Sequence, residues 1–211
     1  MKSAETVYVV DDDPGVLKAL TRLLQSSGYS VAAFQSPRAF LDGHDPAAPG
    51  CLVLDVAMPG LNGLELQRRL AESGSDRAIV FISGQADIPL SVRAMKAGAI
   101  DFLPKPFDDV QLLVAIGIAI EKNRALSETR AGKEAFAQRL ATLTSREREV
   151  LEHVVFGELN KHIASELGTV EKTIKVHRAR VMRKMGAASF ADLVRMAERA
   201  GIGSPPRPSG N

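Results

Sequence analysis

Three short apolar runs in this chain each stop at a charge. Thr6-Val7-Tyr8-Val9-Val10 meets Asp11-Asp12-Asp13, Cys51-Leu52-Val53-Leu54 meets Asp55, and Asp101-Phe102-Leu103-Pro104 meets Lys105-Pro106. Brief apolar runs between turn residues read as strands buried on both faces, the pattern of a parallel sheet. Ligands of an open parallel sheet bind at the carboxyl ends of its strands. Three such ends carrying carboxylates and one lysine therefore predict a single polar pocket. It suits a hard cation, a nucleophilic carboxylate and a phosphate-sized anion.

The flanking periodicity supports this reading. Strand-like segments at Val7–Val10, Ser30–Phe34, Leu52–Leu54, Ala78–Ile82 and Ile100–Leu103 alternate with helix-like ones at Pro14–Ser27, Ser36–Leu41, Leu64–Ala71 and Pro89–Ala97. A long helix capped by Asp108 follows. Five βα units predict a doubly wound α/β domain over residues 1–124. Residues 125–140 are polar and free of proline, with Gly132 as one breaker, and read as a helical linker. Residues 141–200 are helical throughout, with a Thr144-x-x-Glu147 capping box, and predict a four-helix unit. The Gly/Pro/Ser-rich stretch 201–211 is expected to be disordered.

Charge divides unevenly: residues 1–124 hold 12 Lys/Arg and 15 Asp/Glu, whereas residues 125–211 hold 15 and 10. The basic excess points to an anionic partner for the second half. The single cysteine, Cys51, lies in an apolar run and reads as a core thiol. No run has the length of a membrane span and no secretory pattern opens the chain, so a cytoplasmic protein is expected.

Each polar strand end has a specific expected chemistry. Asp11 and Asp12 are adjacent carboxylates that repel unless a cation lies between them, and magnesium takes such oxygen ligands. Asp55 can attack a phosphoryl group. Lys105 would neutralise charge on the transferring group and the Ser83 hydroxyl could donate to it; a surface lysine and a turn serine are the plain alternatives. A cis Lys105-Pro106 peptide would aim the ammonium inward.

Between Glu171 and Met185 there are six Lys/Arg and one acid. Ile174, Val181 and Met185 share one helical face; Lys172, Lys175, Val176, Ala179 and Arg183 lie near the other. The preceding helix (Asn160–Leu167) and short turn fit a helix-turn-helix, whose second helix enters the major groove. Expected DNA contacts are Lys161, Lys172, Thr173, Lys175, Arg178, Arg180 and Arg183, with Val176 and Ala179 against thymine methyls. His177 reads as a structural histidine packed under the turn.

Residues 5–124 resemble a response-regulator receiver domain. The matching residues are Val10-Asp11-Asp12-Asp13, Asp55-Val56-Ala57-Met58-Pro59-Gly60, Ile82-Ser83-Gly84 and Ala94 through Phe107. Leu143–Leu151, Asn160–Ala164 and Lys172–His177 resemble a LuxR-type DNA-binding domain. Together the halves resemble the FixJ/NarL class of two-component response regulators, nearest the FixJ branch. The resemblance implies a flavodoxin-like sheet of order 2-1-3-4-5 and a sensor histidine kinase that phosphorylates Asp55. It also implies Mg2+ on Asp11, Asp12, Asp55 and the Ala57 carbonyl, with Phe102 changing rotamer alongside Ser83. A homodimer would form through the helix around Val92–Ala97 and the adjoining strand, with Val92, Lys96 and Asp101 on that face. The partners implied are promoter DNA and RNA polymerase, with no membrane. The family pattern has Ile-Ser where this chain has Thr169-Val170, so the recognition helix is expected to start less firmly or to use Thr169 as its cap. Two other classes compete. A haloacid-dehalogenase-like phosphatase needs an acid two residues after the nucleophile, where this chain has Ala57. An RNA-binding or protein-binding output is disfavoured by the helix-turn-helix pattern.

Overall fold

The computed structural model describes residues 5–46, 48–84 and 88–202. They divide into two compact units, Met1–Ser127 and Glu128–Asn211.

In the first unit, strands β1 (Thr6–Val10), β2 (Ser30–Phe34), β3 (Gly50–Asp55), β4 (Ala78–Ser83) and β5 (Asp101–Pro104) alternate with helices α1 (Pro14–Ser26), α2 (Pro37–Gly43), α3 (Gly63–Glu72) and α4 (Ile88–Lys96). Helix α5 (Asp109–Ala141) follows. All strand pairs are parallel and the order is β2-β1-β3-β4-β5, as the family resemblance implied. Side chains alternate across the sheet. Val7, Val9, Val53 and Val80 pack with α1 and with Leu112, Ala115, Ile116, Ala119 and Ile120 of α5. Tyr8, Val10, Leu52, Leu54 and Phe81 pack on the opposite face with Phe40 of α2, Leu66 and Leu70 of α3 and Ala94 of α4.

Element ends follow their local chemistry. Asp13 caps α1, accepting from Gly15 N and Val16 N, and Pro14 stands at the first turn, where its missing N–H costs nothing. Asn62 and Glu65 form a capping box on α3. Strand β3 starts at Gly50, earlier than the apolar run suggested. Its φ is +147° and a Cβ there would meet the Thr6 carbonyl at 1.9 Å, so only glycine lets β3 come this close to β1. Helix α2 runs on to Gly43, past Leu41, and β5 spans Asp101–Pro104 rather than Ile100–Leu103.

Gly132 does not break α5. A helical glycine costs about 1 kcal/mol, and the Arg130–Glu134 ion pair at 3.0 Å spans it.

The second unit holds α6 (Ser145–Val155), α7 (Asn160–Glu166), α8 (Glu171–Met185) and α9 (Phe190–Ala200). Val150, Leu151, Val154, Ile163, Ile174, Val181, Met185, Leu193 and Ala197 form its core with Phe136. Thr144 and Glu147 make the capping box read from the sequence. Gly201 ends α9 with φ +82° and Ile202 N donates to Ala197 O at 2.8 Å, so these two residues belong to a helix cap, not to a tail. The rest of the predicted tail, 203–211, lies outside the described residues. None of the described helices is long and apolar enough to cross a membrane.

Candidate functional site: an acidic pocket and a basic helix

The parallel register brings the three charged strand ends together. β1 ends at Val10, opposite Leu54 on β3, and Asp55 pairs with Ile82 on β4. Ser83 pairs with Pro104, and Lys105 N donates to Ser83 O at 2.7 Å. Asp11, Asp55, Ser83 and Lys105 therefore converge although 94 residues separate the first from the last. The Lys105-Pro106 peptide is cis.

Lys105 Nζ donates to Asp11 Oδ2 at 2.6 Å and to Asp55 Oδ1 at 2.7 Å. The remaining oxygens take backbone donors: Asp11 Oδ1 accepts from Asp13 N at 2.9 Å and Asp55 Oδ2 from Ala57 N at 2.7 Å. Asp11 is 1% exposed and Asp55 4%, whereas Asp12 is exposed. Two buried carboxylates thus share one ammonium, and Asp12 adds a third negative charge at the rim. Burial raises the Asp55 carboxyl pKa above its ordinary value, opposed by the hydrogen bond from Lys105. For Lys105, burial favours the neutral amine, but the hydrogen bonds to Asp11 and Asp55 outweigh it and the net shift is upward. The pocket therefore carries excess negative charge around fixed oxygens, a donor set that fits a hard divalent cation.

Ser83 is fully buried, and a cleft of about 600 Å³ runs from Ser83, Val56 and Ala57 outward between α3 and α4. Phe102 is half-buried on the α3–α4 side of the sheet, 6.2 Å from the Phe81 ring. Of the predicted dimer face, Val92 and Lys96 are exposed and Asp101 is half-buried. Ile88 and Met95 extend the same apolar surface and were not singled out in the sequence.

On α8, residues advance by about 100° each. Ile174, Val181 and Met185 are buried, so Lys172, Val176, Ala179 and Arg183 face out, flanked by Lys175 and Arg180. Lys161 on α7 is exposed and Thr173 is half-buried. Arg178 departs from expectation. It falls beside the buried face, donates to Asn160 Oδ1 at 2.9 Å and lies over the Phe190 ring at 5.6 Å. Lys184 is likewise engaged internally, donating to Glu147 at 2.6 Å and to Thr142 O at 3.0 Å. Four of the six cations on the helix remain to face a ligand. Val170, not Thr169, is the N-cap of α8, and no side chain among the described residues caps that end. His177 is half-buried and its Nδ1 has no hydrogen-bond partner among the described residues.

Among the described residues of the first unit, sequence reading missed the following buried polar ties. Asn123 accepts from Gly50 N at 3.0 Å and donates to Asp76 O at 3.0 Å, pinning α5 to the starts of β3 and β4. Arg77 lies over the Tyr8 ring at 4.2 Å and donates to Asp45 O and Ala48 O. Gln67 joins α3 to α4. Only Gln67 left a local signal, a polar residue on the apolar stripe Gly63, Leu66, Leu70.

A doubly wound domain with this pocket, followed by a helix-turn-helix unit, is the architecture of a phosphorylation-controlled DNA-binding regulator. Residues 7–117 match the response regulator receiver domain family, and residues 141–197 match the luxR family of bacterial regulatory proteins. The chain is 44% identical to the transcriptional regulatory protein FixJ of Azorhizobium caulinodans over 202 residues, 96% of each chain. It is 45% identical to the response regulator protein TodT of Pseudomonas putida, over 93% of this chain and 86% of that one. Among solved structures it resembles the response regulator StyR, with 45% identity and a TM-score of 0.84 over 93% of this chain and 100% of the other. Full-length FixJ from B. japonicum superposes with a TM-score of 0.57 at 43% identity, over 95% and 99%. The chain belongs to the response-regulator family, in the FixJ-like group that joins a receiver to a LuxR-type output domain. It is a two-component transcriptional regulator, not a classical enzyme, and its family works with histidine kinases and DNA.

Proposed function

We propose that Asp55 is the phosphoacceptor through which a sensor histidine kinase controls DNA binding by α8. The observation that carries this is the placement of a buried Asp55 carboxylate with Oδ1 2.7 Å from Lys105 Nζ and Oδ2 held by the Ala57 amide. An Asp55 oxygen attacks the phosphorus of a phosphohistidine. The new O–P bond forms as the P–N bond breaks, and the imidazole leaves with the electron pair. Lys105 shifts from the carboxylate to the incoming phosphoryl oxygens, where its charge is needed. The Ser83 hydroxyl donates to the same group and Phe102 moves with it. Asp11, Asp12, Asp55 and the Ala57 carbonyl would hold Mg2+, which when bound neutralises charge on the phosphoryl oxygens. Water later hydrolyses the acyl phosphate, so the domain times its own signal.

Phosphorylation shifts the receiver toward a form that dimerises through Val92, Lys96 and Asp101. Two α8 helices then meet half-sites about one helical turn apart. Lys161, Lys172, Lys175, Arg180 and Arg183 contact DNA, with Thr173, Val176 and Ala179 between them. Arg178 is assigned to the domain's own structure. Contact with RNA polymerase would complete activation.

Mass spectrometry after incubation with a small phosphodonor and magnesium tests the assignment. The wild type should gain one phosphoryl group on the peptide containing Asp55, and Asp55→Asn should gain none. Equal modification of both proteins would remove Asp55 from the role.

A further inference from the structure

Helix α4 is the least anchored helix of the receiver unit. It buries only Ala94, whereas α1 buries three residues and α3 four. Ile88, Val92 and Met95 are exposed. The cleft of about 600 Å³ lies on one side of its contact with α3 and a second, of about 210 Å³, on the other. Gln67 and Ala97 border both. What bridges the gap is the Gln67 amide. Gln67 is 5% exposed, and its Nε2 donates to Ala94 O at 3.3 Å and to Ala97 O at 3.2 Å. Ala94 O, in the last turn of α4, also accepts from Ala99 N at 3.1 Å, and Ala97 O lies just beyond the helix end, so the amide grips the turn that closes α4. Apolar side chains would fill the α3 stripe more cheaply than a buried amide, so the amide needs a reason.

We propose that Gln67 is a latch, a positioning residue that holds α4 in its unphosphorylated position and so opposes activation of the receiver. The larger cleft opens at Ser83, so a phosphoryl group that draws Ser83 toward Asp55 acts on the same wall that α4 borders. Moving α4 then requires the two Gln67 hydrogen bonds to break. A ligand that selects the moved state binds with an apparent affinity reduced by the scarcity of that state. Removing the latch makes that state less scarce and tightens binding. A residue that merely supports the fold would leave binding unchanged or weaken it, so the sign separates the two roles. The inference rests on Asp55 being the phosphoacceptor.

Calorimetric titration of the full chain with beryllofluoride and magnesium, a mimic of the phosphoryl group, tests it. Gln67→Met keeps the length of the side chain and removes the donor. Gln67→Glu, a second variant, places a carboxylate against the two carbonyls. Both should bind about tenfold tighter than wild type, equivalent to about 1.4 kcal/mol. Hydrogen exchange in the unbound proteins should quicken at α4 and stay unchanged at α1. Wild-type binding with neither variant tighter would overturn the latch alone. No binding by wild type would overturn the phosphoacceptor reading and the latch with it.

Discussion

Glu147→Gln probes how the recognition helix is held. The wild-type carboxylate is 3% exposed and accepts from Lys184 Nζ at 2.6 Å and from Thr144 N at 2.9 Å. Glutamine retains an acceptor for the Thr144 amide but loses the charge facing Lys184. A hydrogen bond between charged groups contributes about 1.5–3 kcal/mol. The Lys184 side chain is 30% exposed, so the lower part of that range applies, about 1.5–2 kcal/mol. For a unit of this size each kcal/mol moves Tm by about 4–8 °C, which gives a drop of about 6–16 °C. Scanning calorimetry of the full chain is the suitable assay. The chain has no tryptophan and both tyrosines, Tyr8 and Tyr29, lie in the receiver unit, so intrinsic fluorescence does not report on α8.

The effect has a pH signature. Lys184, followed by the Thr144 amide, holds the Glu147 carboxyl down at about 2, against an ordinary value of 4.5. A depressed carboxyl stabilises fully above its unfolded pKa and loses that contribution as pH falls toward the folded one. The gap between wild type and Glu147→Gln should therefore be constant from about pH 7 to 5, fall to about half near pH 3 and be largely closed only by about pH 2. A gap below about 0.5 kcal/mol at neutral pH, or one that persists in acid, would refute the assignment of this pair.

Other substitutions test the site directly. Gly63→Ala places a Cβ 2.3 Å from the Asp55 carbonyl, so it should cost about 1–3 kcal/mol in urea unfolding and slow the reaction of Asp55 with a phosphodonor; full stability and reactivity would contradict that contact. Burial pushes the Cys51 thiol up to about 12, so labelling of the native chain at about pH 8 should lag that of the unfolded chain at least about a thousandfold. Fast native labelling would mean β3 is not buried. Lys175→Ala should lessen the slope of log affinity against log salt by about 1. Arg178→Ala should leave that slope alone and instead lower stability by about 1–2 kcal/mol through its lost tie to Asn160.

Legibility in the sequence followed the range of the interactions. Strand ends such as Val10-Asp11 and Leu54-Asp55 were readable because each apolar run and its terminating charge are contiguous. The Thr144–Glu147 box was readable because its partners lie three residues apart. Lys184, 37 residues from Glu147, and Asn123, 73 residues from Gly50, were not, since nothing local to either residue marks a tertiary partner. A count of charges ignores direction and so did not anticipate the tie of Arg178 to Asn160; the 100° rotation per residue already set it beside Ile174 and Val181. At Gly132 a local penalty of about 1 kcal/mol was outweighed by the helix on both sides. The exposed apolar residues Ile88 and Met95 carry no sequence mark of exposure, because their composition is that of a core.

The proposed role of Asp55 is to govern, through its phosphorylation, the grip of α8 on DNA. Its most direct test is the affinity of the full chain for a bound promoter fragment at fixed salt, with and without phosphodonor and magnesium, for wild type and Asp55→Asn. Phosphodonor should tighten wild-type binding by at least about tenfold, about 1.4 kcal/mol, and leave Asp55→Asn unchanged. Equal affinities in all four conditions, or equal tightening of both proteins, would contradict the account.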